Sequence, residues 1–243
     1  MAITIREASD ADIPRFVETE IAAYSATPSA SGTVLFPGPF PPEGLQIRIQ
    51  QTIESRKELA AKFMVAIDEA TGEQMAFSKW CFYKTEEDVK SAPPRIIPSG
   101  PGINTEACQA FYGDVIEKKK QIMGSSPHVY LRMMHTHPKY QKRGAASALL
   151  RWGLQRADEL NLPTYLESSA TAQSLYRKHG FRDVASVDLD LTPFGGDGLV
   201  HSAPFFGCHP LQWRALRKII LNSSQMSDNS SAELTSLCVE VEI

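Results

Sequence analysis

An apolar, strand-like stretch, Val129 to Thr136 (VYLRMMHT), runs into a short basic turn carrying Gly144 and then at once into a helix. Ala146, Leu149, Leu150, Gly153, Ala157 and Leu160 lie on one face of that helix, and Asn161 with Pro163 stops it. A strand passing directly into a helix with an apolar stripe commits this part of the 243-residue chain to a layered α/β arrangement.

The rest of the chain extends the pattern. Ile3 to Ala8 alternates as a short strand, Ser9 or Asp10 is placed to cap a helix, and Ile13, Phe16, Val17, Ile21 and Tyr24 follow at helical spacing. Thr27 to Gly44 is a loop by composition, but its Val34, Leu35, Phe36 and Phe40 call for something to pack on. Leu45 to Leu59 reads as a second helix. Lys62 to Asp68 and Glu73 to Tyr83 form a hairpin through Thr71-Gly72. Lys84 to Ile103 is a Pro-rich excursion without an element, and Asn104 to Met123 is a surface helix with Lys118-Lys119-Lys120 at its solvated end. Thr164 to Glu167 is a short strand, Thr171 to His179 a helix closed by Gly180, and Phe181 to Leu191 a strand. The reading is one mixed α/β domain over residues 1–221, with a core at 3–191, an excursion at 84–103 and a polar tail at 222–243, disordered or loosely attached. The first half of its sheet is mostly antiparallel.

Composition excludes several classes. Charged residues are 22% and the net charge is -3, without the basic excess of a nucleic-acid domain. Cys81, Cys108, Cys208 and Cys238 are scattered, which argues against a zinc module or a disulfide framework and for a reducing compartment. No signal segment and no run of membrane-spanning length is present, so a cytoplasmic protein without nucleic-acid or membrane partners, monomeric or homodimeric, is the expectation.

The turn Gln141-Lys142-Arg143-Gly144-Ala145-Ala146 carries chemistry. The first N–H groups of a helix lack intrahelical partners and carry the positive end of the helix dipole. Small residues let a pyrophosphate approach them, and Lys142 and Arg143 add charge. His135 and His137 sit two apart on the strand and share a face. Their H-x-H spacing also suits a metal, but no third ligand is evident, so no metal is expected.

The turn matches [Q/R]-x-x-G-x-[G/A], and Leu175-Tyr176-Arg177-Lys178-His179-Gly180-Phe181 matches L-Y-x-x-x-G-F. With Pro138 and Tyr140 before the turn, residues 3–191 resemble the GCN5-related N-acetyltransferase (GNAT) family. LFPG and MMHTHPKYQKRGA look most like its small fungal members. The resemblance implies a central mixed sheet whose fourth and fifth strands splay, with helices on either side. It also implies an acetyl-CoA-dependent N-acetyltransferase that passes the acetyl group directly to an amine, most readily a small molecule; the alternative is a non-catalytic acyl-CoA-binding module. Backbone groups near His135, Thr136 and His137 would hold the acetyl and pantetheine, and the turn from Gln141 through Ala146 the pyrophosphate. Ser168 and Ser169 stand where some members have Asn, and the resemblance implies Ser169, whose hydroxyl can still hydrogen-bond, as a further cofactor contact. Tyr176 would meet both the cofactor and the departing thiolate as proton donor. Glu167, then His135 or His137, is the candidate base. The acceptor pocket would lie between the Thr33–Phe40 loop, the hairpin and the end of the fifth strand, lined by Phe36, Trp80 and Glu167.

Overall fold

Alternating apolar residues need partners on both sheet faces, and the chain supplies them from three groups of helices. The computed structural model describes residues 2–26 and 29–208. In it β1 (Ile3–Glu7), β2 (Ala61–Asp68), β3 (Gln74–Tyr83), β4 (His128–Thr136), β5 (Thr164–Glu167), β6 (Arg182–Asp190) and β7 (Val200–Cys208) form one sheet. Its order is β1-β2-β3-β4-β5-β7-β6, antiparallel except at β4-β5.

The helices are α1 (Ile13–Ala26), α2 (Ala30–Leu35), α3 (Gly44–Ser55), α4 (Glu86–Lys90), α5 (Thr105–Met123), α6 (Ala145–Glu159) and α7 (Gln173–Lys178). One face of the sheet packs on α6 and α7, through Trp80, Leu131, Leu149, Leu150, Tyr176 and Phe206. The other packs on α1 and α3 through Phe16, Phe63, Val65 and Phe77, and on α2 and α5 through Leu35, Phe111, Tyr130 and Tyr165. Period-two alternation is visible in β2, where Phe63 and Val65 face α1 while Met64 and Ala66 face α6. All ten residues of β3 are buried, as a central strand covered on both faces requires.

Four readings need correction. The 27–44 segment is not loop throughout: Ser29 accepts from Gly32 N and starts α2, which seats Leu35 in the core, while Phe40 stays exposed. The excursion contains α4, started by a Thr85/Asp88 capping box. Helix α5 is not a surface helix, because Ala107, Cys108, Phe111 and Val115 are buried; its Lys119 turns inward over two tyrosine rings. Residues beyond Leu191 continue the core: a turn at Thr192–Phe194 returns the chain as β7, inserted between β5 and β6. Pro204 and the pair Phe205-Phe206 obscure that strand's alternation. Cys238, the stretch HPLQWRALRKII and the polar tail lie outside the described residues. Among those described, no helix is long and apolar enough to cross a membrane.

Gly153 of α6 lies directly against the fully buried Trp80, where a Cβ would overlap the indole. Gly153→Val should cost about 1–3 kcal/mol by overpacking, lowering the melting temperature by several degrees in a thermal scan. His128 is wholly buried beside Tyr83 and Tyr165, with Nδ1 2.7 Å from Ser126 O. Burial, then the Lys119 charge, takes its pKa down to about 4. An unfolded histidine titrates near about 6.5, so below that pH the unfolded chain binds the proton first. Stability should therefore fall between about pH 6.5 and 4. His128→Gln should flatten part of that slope in melting curves recorded against pH.

Candidate active site

Among the described residues the only parallel contact in the sheet, β4 with β5, fails early. β4 and β5 are in register at Val129–Thr164 and Tyr130–Tyr165, and there the pairing ends. β4 continues with β3 as far as Thr136, whereas β5 stays with β7 through Glu167–Phe205 and Ser168 N donates to Pro204 O at 2.9 Å. The two strands therefore diverge as the arms of a fork. A register shift in β3–β4 pairing leaves Arg132 as the extra residue between Leu131, opposite Trp80, and Met133, opposite Lys79; such a bulge re-aims side chains.

His137 N donates to Met75 O at 2.9 Å, so its donor is engaged by β3 and is not available to a ligand, contrary to the sequence reading. Backbone groups of successive strand residues turn to opposite edges. Those of His135, opposite Phe77, accordingly also face β3, and those of Met134 and Thr136 face the fork.

At the end of β4 a 3-10 turn, Pro138–Tyr140, leads to the basic loop. Tyr140 is buried and its hydroxyl bonds the Glu73 carboxylate on the hairpin, which anchors the loop. Gln141, Lys142, Arg143 and Gly144 are exposed. Lys142 (φ 61°) and Gly144 (φ 92°) both adopt left-handed backbone, and Gly144 is the N-cap of α6 without a side-chain cap. Ala148 is the first α6 residue whose N–H finds a backbone acceptor, Gly144 O. The amides of Ala145, Ala146 and Ser147 are left as unmatched first-turn donors, in a loop with two cations and no acidic side chain. That cradle fits a diphosphate.

The fork separates two sets of side chains. Tyr176, on the α6–α7 face, packs against Phe181 and Phe206; burial holds its phenol well above the ordinary pKa, so it is protonated. Glu167 lies on the opposite face. It accepts from Tyr130 Oη–H at 2.6 Å, from Tyr165 Oη–H at 2.9 Å and from Arg95 at 3.3 Å. His135 is on that same face between Tyr24 and Phe77. Its pKa is lowered by burial, and its buried Nδ1 has no hydrogen-bond partner. The imidazole is therefore neutral near pH 7. His137 lies nearer solvent, its Nδ1 accepting from Lys139 N. Ser169 Oγ is exposed, 3.1 Å from Thr171 Oγ1, while Ser168 Oγ donates to Ser169 O.

A cavity of about 120 Å³ opens on the Glu167 face between α5, residues 92–95 and the fork. Of the three residues read from sequence as acceptor contacts, only Glu167 lines it. Trp80 is fully buried on the other face and its indole N–H is taken by Ser78 Oγ at 3.0 Å, so it offers no surface to a substrate. Phe36 is half-buried against the α5 cluster. Sequence reasoning missed Arg95, Lys119, Tyr130 and Arg132, which surround Glu167. Arg132 was visible as a lone charge in an apolar strand; Arg95, 72 residues from Glu167, carried no local signal.

This arrangement, a forked parallel pair with a small-residue loop and helix start at the end of one arm, is the GNAT fold. The family model for the acetyltransferase (GNAT) domain matches residues 107–183, from α5 to the start of β6. Among solved structures, the histone acetyltransferase HPA2 and related acetyltransferase of Corynebacterium glutamicum is 22% identical, with TM-score 0.56 over 86% of this chain and 97% of that one. The ribosomal-protein-alanine N-acetyltransferase of Brucella melitensis is 15% identical, with TM-score 0.50 over 84% and 98%. The yncA protein of Salmonella typhimurium, described with its cofactor acetyl-CoA, is 15% identical, with TM-score 0.50 over 86% and 94%. At these identities the likeness is one of fold. No curated protein matches the chain.

Gly144→Glu places both a strained side chain and a negative charge at the mouth of the amide cradle. It should weaken acetyl-CoA binding at least tenfold by calorimetry while the melting temperature shows a folded protein; unchanged affinity would place the diphosphate elsewhere.

Proposed function

We propose that this protein is an acetyl-CoA-dependent N-acetyltransferase that transfers the acetyl group directly to an amine. The observation that carries the reading is the fork: unmatched amides of α6 at the end of one arm, and a protonated phenol and a carboxylate on opposite sheet faces beside it. Bound acetyl-CoA supplies an acetyl thioester already activated for acyl transfer. The amides of residues 145–147, with Lys142 and Arg143, hold the diphosphate, and the backbone edge of Met134 and Thr136 orients the pantetheine as an added strand would.

Glu167 takes the proton that an ammonium acceptor must lose, directly or through water. Its hydroxyl and guanidinium partners fix the carboxylate in position. His135, neutral and with an unpartnered Nδ1, is the second acceptor for that proton. Tyr176, kept protonated by burial, donates to the thiolate as negative charge develops on sulfur. Because Tyr176 and Glu167 face opposite sides of the sheet, amine and thiol are served without exchanging places.

Free-thiol release from acetyl-CoA across a panel of amines tests the reading. Tyr176→Phe should lower kcat about a hundredfold with acetyl-CoA affinity unchanged, the signature of a contact made in the transition state. Tight acetyl-CoA binding with no thiol release over a broad panel would instead assign an acyl-CoA-binding role without chemistry.

A further inference from the structure

The cavity beside Glu167 carries more positive charge than its own carboxylate balances. Arg95 is engaged: it bonds Glu167 and stacks 4.8 Å over Tyr112. Lys119 and Arg132 remain. Among the described residues, neither has a carboxylate within ion-pair distance. The Lys119 ammonium instead lies 3.9 Å from the centre of the Tyr130 ring and 5.5 Å from that of Tyr83. A ring quadrupole returns only part of the hydration that an ammonium gives up. Burial holds the Lys119 pKa below the ordinary lysine value against the pull of Glu167, and Arg132 and Arg95 push it in the same downward direction. With Arg95, Lys119 and Arg132 facing one cavity against the single carboxylate of Glu167, the positive excess calls for an anion from outside the fold.

The same cavity presents Glu167, so its walls offer both signs of charge. We propose that it is the acceptor site and that the acceptor is a small amino acid: Lys119 and Arg132 bind its carboxylate, and Glu167 faces its ammonium group. The inference rests on the proposed transfer reaction and names its substrate class. Size agrees. A cavity of roughly 150 Å³ takes a six-carbon ring, so one of about 120 Å³ suits the amino-acid head group, with any longer side chain directed outward. Position agrees as well, since Arg132 stands on one arm of the fork and Glu167 on the other, which sets the nitrogen at the point where the strands part.

Calorimetry with alanine, alaninamide, propionate and ethylamine separates the possibilities, alongside thiol release from acetyl-CoA with the three amines. Alanine should bind about ten- to a hundredfold tighter than alaninamide, the span of a charge-assisted contact, with propionate and ethylamine weaker still. Lys119→Met and Arg132→Met should reduce alanine to the alaninamide level and leave alaninamide unchanged, and Lys119→Arg should restore the preference. Melting temperatures of the Met variants should hold or rise, because an unpaired cation is removed. Equal binding of alanine and alaninamide, or Met variants that bind alanine as the parent does, would overturn the inference. Propionate binding as tightly as alanine would also overturn it, in favour of a simple anion site. Thiol release indifferent to the carboxylate keeps the transfer reaction and removes this acceptor class. Selective alanine binding without thiol release keeps the site and removes the reaction.

Discussion

The separation of β4 from β5 after Tyr130 and Tyr165 is the constraint on which the rest depends. Each strand is held by its other neighbour: β4 by β3 as far as Thr136, and β5 by β7 through Glu167 and Ser168. The two sheet halves therefore follow different partners, and the edge between them is left with unpaired backbone groups. Elsewhere such an edge is an aggregation hazard. Here it is short and flanked by helices on both faces.

Glu167 ties the cavity side of the sheet together. Its carboxylate joins β4 through Tyr130, β5 through Tyr165 and the excursion through Arg95, so three distant parts of the chain meet on one side chain. The hydroxyls and guanidinium satisfy an anion only a tenth exposed, which would otherwise be costly to bury. Lys119 and Arg132 are the complementary case: charges positioned by packing, with no carboxylate at ion-pair distance among the described residues. Tyr176, on the far face and surrounded by Phe181 and Phe206, sits where the dielectric is low and the proton is retained. One sheet thus separates a charged face around Glu167 from an apolar face around Tyr176.

Much of the β4–α6 region was legible in the sequence because its signals are local. The small-residue turn, the apolar stripe of α6, the capping residues and the position of Gly180 depend on neighbours a few residues away, and the elements appear where those patterns place them. The hairpin through Thr71-Gly72 was equally plain. The surroundings of Glu167 were not legible. Trp80 is a large aromatic on the predicted hairpin, yet strand parity turns it toward α6 and Gly153 and away from Glu167. β7 escaped because Pro204 and adjacent phenylalanines break its alternation, although its place between β5 and β6 completes the sheet.

By itself the sequence determined the layered α/β class, the order of its main strands and helices, and a small-residue turn before the start of a helix, since periodicity and backbone sterics act over a single turn or strand. Only the tertiary structure decided which side chains meet. Arg95 reaches Glu167 across 72 residues, and Lys119, which reads as part of a solvated lysine run, is carried by the helix over Tyr130. The physical reason is that charge pairing and burial are set by where the sheet places each face, and that placement emerges only when its strands have found their neighbours.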